Sequence, residues 1–256
     1  MRALRVTFLG VALGGVMYAQ EGVKFGLRAS PALGFFGLDS AGRTVRNLEG
    51  AGVFGFAGGL MLSFGFSDNV SLLLGVGVGT GGGKVEYRPD YGIKAAGDSV
   101  LTLSATGLTS AQNVTYRATL LNVPLFIKLR TNAIGPTPLH IKGVLGGQAD
   151  LRVGSSTNSD KRLISANFID QDRARVTEHF STFLAQASAG AGVDIDLEGI
   201  GIIDVTFLYN HGLINFFNKD FKFTETVNGV TYRDLQPYKD LKARLSSLQL
   251  QLIFWF

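Results

Sequence analysis

The chain has 256 residues, of which 17% are charged, with a net charge of +4 and no cysteine. Disulfides and thiolate metal sites are therefore excluded, and the positive charge is too small to argue for nucleic acid. Glycine, at 34 residues, is about twice its usual ~7% share, and the mean hydropathy of +0.22 is high for a soluble domain.

The amino terminus comes first. Arg2 and Arg5 precede an apolar run from Val6 to Met17, and then comes Tyr18-Ala19-Gln20. A charged segment, a hydrophobic segment and a small residue predict a cleaved signal peptide over residues 1–19, cut after Ala19. Its removal takes two arginines and leaves +2 on a single domain over residues 20–256. Beyond it, no uninterrupted apolar stretch reaches the roughly 20 residues of a spanning helix.

The rest of the chain alternates with a period of two, the signature of strands with one apolar face. The first segment sets Val23, Phe25 and Leu27 against Lys24, Gly26 and Arg28. In the second, Phe54, Phe56, Leu60 and Leu62 oppose Gly55, Ala57, Gly59 and Ser63. The third opposes Val70, Leu72, Leu74, Val76 and Val78 to Ser71, Gly75, Gly77 and Gly79. In the fourth, Leu121, Val123, Leu125, Ile127 and Leu129 face away from Asn122, Pro124, Lys128 and Arg130. The fifth has Leu139, Ile141, Leu145 and Leu151 against His140, Lys142, Gln148, Asp150 and Arg152. The sixth sets Phe183, Ala185 and Ala187 against Gln186, Ser188, Asp194 and Asp196, and the seventh sets Ile203, Val205, Phe207 and Tyr209 against Asp204, Thr206 and Asn210. The eighth places Leu248, Leu250, Leu252, Phe254 and Phe256 on one face up to the last residue. Its parity slips near Ser246-Ser247, which predicts a bulge.

Short connections near 67–69, 131–138 and 198–201 alternate with long polar ones near 36–52, 80–115, 153–179 and 211–239. That asymmetry, the signal segment and the terminal phenylalanine predict an all-β fold. The expected architecture is an eight-stranded antiparallel transmembrane β-barrel, an up-and-down meander in a bacterial outer membrane. The even strand count predicts that both termini are periplasmic. The closing strand is then the segment offered to the barrel-assembly machinery. Pro124 points inward and predicts a local break in pairing, and Gly212 predicts a positive φ or a tight bend.

Eight strands leave an interior just filled by side chains. Lys24, Arg28, Lys128, Arg130, Lys142 and Arg152 face inward with Asp150, Asp194, Asp196 and Asp204, so these opposed charges are expected to pair into a polar plug. Inward glycines on the second and third strands leave room for them.

Two stretches resemble the PorT-like family of small outer-membrane barrels, known mainly from Bacteroidota. They are Leu120-Leu121-Asn122-Val123-Pro124-Leu125-Phe126-Ile127-Lys128 and Tyr209-Asn210-His211-Gly212-Leu213-Ile214-Asn215. The hairpin Gly65-Phe66-Ser67-Asp68-Asn69-Val70-Ser71 is similar as well. The resemblance implies an eight-stranded outer-membrane barrel, and for some relatives a tie to type IX protein secretion.

Catalysis finds little footing. His140, His179 and His211 match no metal or esterase spacing, and no Gly-x-Ser-x-Gly elbow occurs. His179 and His211, with Glu178, are expected to approach at one rim. Thr80-Gly81-Gly82-Gly83-Lys84 lacks the Ser/Thr and helix of a phosphate loop and reads as a strand-to-loop transition. The loop after Arg152 mixes Lys161, Arg162, Arg173 and Arg175 with Asp160, Asp170 and Asp172, a solvated loop whose basic residues could meet lipopolysaccharide phosphates. Phe216, Phe217, Phe221 and Phe223 are expected to extend the wall as a hairpin or to contact a partner. No catalytic, cofactor-binding or metal residues are assigned, and no cofactor is expected. The expected partners are outer-membrane lipid and lipopolysaccharide, the assembly machinery, and a secretion-system or surface protein. The first reading is a non-enzymatic barrel with a structural, binding or adhesion role. A secretion accessory and a lipid-modifying enzyme are the alternatives.

Overall fold

The computed structural model describes residues 22–39, 45–88, 92–94, 100–102, 112–134, 138–159, 178–236, 239 and 241–256. The predicted signal segment 1–19 lies outside these residues, as do the charges from Asp160 to Arg175. Eight long strands close into one antiparallel barrel: β1 (Val23–Asp39), β2 (Val45–Ser67), β3 (Val70–Tyr87), β6 (Gln112–Arg130), β7 (Leu139–Ser159), β8 (Phe183–Leu197), β9 (Gly201–Gly212) and β12 (Lys242–Trp255). Each neighbours its sequence successor in the wall, and β12 pairs with β1 to complete the ring. Two small hairpins decorate one end, β4 (Gly92–Lys94) with β5 (Val100–Thr102) and β10 (Phe223–Val227) with β11 (Val230–Leu235).

The strands outrun their apolar faces. β3 continues to Tyr87 and β6 begins at Gln112, so the glycine run 81–83 is strand rather than loop. A Cβ on Gly83 would strike the Phe36 ring, so that glycine lets β1 and β3 pack closely. The barrel is therefore taller than a membrane band alone would require.

β6 shows why. From Leu121 to Leu129 its odd residues face outward and are apolar, as in a wall against lipid. Above them the pattern inverts: Val114, Tyr116, Ala118 and Leu120 point inward, while Asn113, Thr115, Arg117 and Thr119 point outward. Inward and outward never change places along the strand; the media do. β12 repeats the exchange. Leu241, Ala243 and Leu245 face a dry interior, Ser247, Gln249 and Gln251 a polar one, and Leu248, Leu250 and Leu252 the outside. Its register against β1 runs from Asp39↔Lys242 to Gly26↔Trp255 with no shift. The bulge predicted at Ser246-Ser247 is absent; the change in the interior, from apolar to polar, imitates one in the sequence.

Irregularities lie elsewhere. The β2–β3 ladder shifts near Gly52, and the β6–β7 ladder shifts at Thr119/Leu120. Pro124 faces inward, and the β3–β6 ladder skips the pairs beside it without changing register. Proline has no N–H to give, so a gap is the expected outcome. Gly212 has no positive φ; a Cβ there would meet the Leu245 backbone, so close approach is what requires glycine. The short turn after Leu197 does need it, with Gly199 at φ 75°.

Aromatic residues edge the band. Phe254 and Phe256 pack edge to face, 5.4 Å between centroids, beside Phe25 at the short-turn end. A closed ladder satisfies its backbone groups internally and resists detergent. Unheated protein in SDS should migrate as a compact species and shift on boiling; identical mobility in both lanes would contradict the closed barrel. Replacing Phe254 and Phe256 with aspartate should reduce that compact species, because a charge on the lipid face is costly: up to ~2–4 kcal/mol for lysine or arginine at mid-depth, less for aspartate, and about 0–1 kcal/mol near the edge.

Candidate functional site: a charged lumen beneath an aromatic cap

The lower lumen is built by inward positions of β6, β7, β8 and β9. Lys128 Nζ lies 3.0 Å from Asp194 Oδ2, and Lys142 Nζ lies 2.7 Å from Asp194 Oδ1 and also bridges to Asp204. Thr206 donates to Asp204 at 2.9 Å, and the Lys128 ammonium sits 5.7 Å from the centroid of the Trp255 ring. Two cations and two anions thus neutralise one another where water is scarce, the condition under which buried charge is tolerable.

A second tier lies above. Arg28 donates to Asn122 Oδ1, Gln148 donates to Asp150 at 2.6 Å, and Arg28 and Asp150 attract across the bore. A Cβ on Gly77 would collide with both Arg28 and Asn122, so the inward glycine makes room for that pair. Amides and small residues then enclose about 30 Å³ under Leu120 and Leu245, space for one or two waters. Gln186 Oε1 lines this space without a protein partner.

Over it sits a dry cap. Phe36, Tyr116, Phe180, Phe216 and Phe217 form one cluster with Leu184, Leu241 and Leu245. Phe36 and Phe216 lie 4.8 Å apart, Tyr116 and Phe217 4.9 Å, and Phe180 and Phe216 5.0 Å between centroids. Such tilted and edge-to-face pairs suit aromatic quadrupoles. The Tyr87 and Tyr116 hydroxyls, 2.9 Å apart, satisfy each other inside it. Segment 215–221 is stitched to its neighbours by Phe216 N–H to the Ala243 carbonyl at 2.7 Å and Ser181 N–H to the Phe216 carbonyl at 2.9 Å. Phe216 and Phe217 therefore fold inward and seal the bore, where a hairpin extending the wall or a partner contact is expected from the sequence. Phe221 joins them, and Phe223 begins β10.

The predicted lumen charges divide. Arg28, Lys128, Lys142, Asp150, Asp194 and Asp204 form the plug. Arg130 lies at the short-turn rim, its Nε donating to the Asp68 carbonyl at 2.6 Å; Arg152 reaches the Ser181 carbonyl at 3.2 Å; Asp196 is exposed and Lys24 half-buried. The histidines are not assembled. His140 Nδ1 is 2.8 Å from the Thr131 carbonyl, His179 is buried with its ring 3.9 Å from that of Phe221, and His211 faces outward beside the Tyr209 hydroxyl. Among the described residues no cluster of three or more His, Asp or Glu side chains is placed to hold a metal.

The cap escaped the sequence reading, although the parity inversions at 114–120 and 241–245 carry its signal.

Residues 8–218 match the family described as outer membrane protein beta-barrel domain. The chain belongs to that family. It is thus an outer-membrane barrel, consistent with the apolar band. Solved structures with a related barrel include a major outer membrane protein from Thermus thermophilus, at 12% identity and TM-score 0.45, covering 92% of this chain and all of that one. OprG from Pseudomonas aeruginosa has 13% identity and TM-score 0.42, with 91% and 95% covered. The Escherichia coli outer membrane protease OmpT has 10% identity and TM-score 0.32, with 91% and 96% covered. A search of curated proteins gave no match.

Two outcomes are expected. Asp194→Asn leaves both lysines to share Asp204 and should cost roughly 3–5 kcal/mol, the range for breaking a buried pair. Lys128→Met added to Asp194→Asn restores neutrality and should recover much of the loss in urea unfolding of micelle-bound protein. Separately, burial holds the His179 pKa down at about 4, against an ordinary 6.5. The unfolded or opened cap then binds the proton that the closed cap excludes. Cap stability should be full above pH 6.5 and fall as pH drops toward 4. Amide exchange across 178–181 and 215–221 should accelerate over that window, and His179→Phe should abolish the dependence.

Proposed function

We propose that this protein is a closed, non-enzymatic barrel that displays a rigid platform at the cell surface for contact with other molecules. In this reading the short turns and both termini face the periplasm, and residues 1–19 are a cleaved signal. The observation that carries it is the cap: the segment most rich in aromatics is spent on sealing the bore. Solute passage through the lumen is thereby disfavoured, and what is presented outward is the turn end of hairpin β10–β11, whose Val227 and Tyr232 pack against the cap. Its turn Val227-Asn228-Gly229-Val230 has φ of 51° at Asn228 and 80° at Gly229, the two-residue type suited to a tight, self-supporting hairpin. Val230 is largely exposed, and Thr226 and Thr231 pair across the strands at 3.0 Å.

Outer-leaflet lipid and the barrel-assembly machinery, meeting β12, are the partners common to such a protein. The PorT-like resemblance supports a further, more specific kinship. Dispersal of the three histidines between rim, cap and wall supports a role without catalysis.

Planar-bilayer recordings of purified protein should show no large stable conductance. Replacing 228–231 with a short Gly-Ser link keeps Phe216, Phe217, Phe221, Val227, Tyr232 and Leu235 in the cap. Assembly should persist, because loop length costs little, while binding to host or neighbour-cell surfaces should fall to background. Steady porin-sized currents, or undiminished surface binding, would overturn the reading.

A further inference from the structure

The charges of the plug have counter-charges, whereas Lys84 and Arg117 on the outer wall have none among the described residues. Lys84 on β3 and Arg117 on β6 have no ion pair or hydrogen-bond partner for their side chains among the described residues. Both stand at outward positions, and the ladder sets Lys84 opposite Thr115 and Arg117 opposite Gly82. They are thus diagonal neighbours on one face, within about 7–8 Å at the backbone. Gly82 has no side chain to screen Arg117. Among the described residues, the acidic neighbour on this face is Glu86, which is engaged by Arg88 at 3.5 Å. With Arg88 counted, the patch carries a net charge of +2.

Its height matters as much as its charge. Arg117 lies four positions above Leu121, where the outward face of β6 becomes apolar, or about 14 Å along the strand at 3.4 Å per residue. A flexible arginine or lysine can lean back from there to the headgroup level. Below, on β3, β6 and β7, a furrow of about 710 Å³ runs along the lipid-facing wall. Gly147 and Ala149 form its floor, and Leu74, Leu125 and Ile127 stand along it. A cationic pair over an apolar furrow on the same strands has the form of an amphiphile's mould.

We infer that Lys84 and Arg117 bind the phosphate groups of an outer-leaflet glycolipid whose acyl chain lies in the furrow over Gly147 and Ala149. This rests on the reading that the long loops face outward. The diffuse alternative, a wall wetted equally by all lipids, predicts no dependence on phosphate or on these residues.

The test uses the full-length protein in micelles, titrated with bisphosphorylated lipid A, its dephosphorylated form, phosphatidylglycerol and inorganic phosphate. Bisphosphorylated lipid A should bind at least tenfold more tightly than the other three. Lys84→Ala with Arg117→Ala should remove that preference, and the swap Lys84→Arg with Arg117→Lys should keep most of it. Ala149→Phe, which fills the furrow, should weaken lipid A binding several-fold, and unchanged binding would overturn the placement of the acyl chain. The heat-modifiable band reports that each variant has folded. Equal binding of the dephosphorylated lipid, equal binding of phosphatidylglycerol, or an unaffected alanine pair would each overturn the assignment. Orientation is checked apart from lipid: the chain has no cysteine, so Asn228→Cys gives one site for an impermeant maleimide on whole cells. Absence of labelling would reject the outward loops while leaving the lipid titration to be judged alone.

Discussion

A wall one strand thick must suit a different medium on each side at every height. Everything else in this protein answers to that. Side chains alternate strictly, so a residue cannot choose its side; only its chemistry can be fitted to where it falls. Along β6 and β12 the fitting is visible as two regimes on one continuous ladder. Where lipid lies outside, the inside carries the paired charges and the amides together with a smaller apolar cluster around Met61, Leu73, Phe126 and Trp255. Where water lies outside, the inside is dry. The lower half is turned partly inside out, and the upper half is an ordinary protein.

The narrow bore makes the polar regime demanding. Lys128, Lys142, Asp194 and Asp204 balance as a set, and the removal of any one strands the rest. Arg28 and Asp150 form a looser tier, and above it Gln186 borders the small space, where water completes what side chains leave open. The cap above has no such obligations. Its side chains need only fill volume, and they come from β1, β3, β4, β5, β6, β8, β11, β12 and the segments around Phe180, Phe216 and Leu241.

Much of this was legible in the residues. Period-two alternation located all eight wall strands, and the inward charges of β6 to β9 foretold a paired plug. The strand ends were not legible, because the apolar face marks only the part of each strand that lipid covers. At Leu120 the apolar set moves to the other parity, so the stripe from Leu121 to Leu129 ends while the strand does not. The same exchange at Leu245 looked like a bulge. Phe216 and Phe217 misled for a related reason: an aromatic pair between polar stretches reads as exposed until a cavity for it is known. That cavity is made by residues about a hundred or more positions away, such as Phe36 and Tyr116, and no local pattern announces it.

β12 belongs to both regimes. Its first residues complete the cap through Ala243 and Leu245, and its last ones close the ring against β1. Segment 215–221 hangs from it through Asn215 and Phe216, both bonded to Ala243. The dry core therefore cannot be finished by a chain still being made, nor by a sheet still open at its seam. Sealing waits for closure. An unclosed intermediate would carry an unoccupied aromatic cleft at its leading end, and the loss of that cleft would time-stamp the moment at which the last strand finds the first.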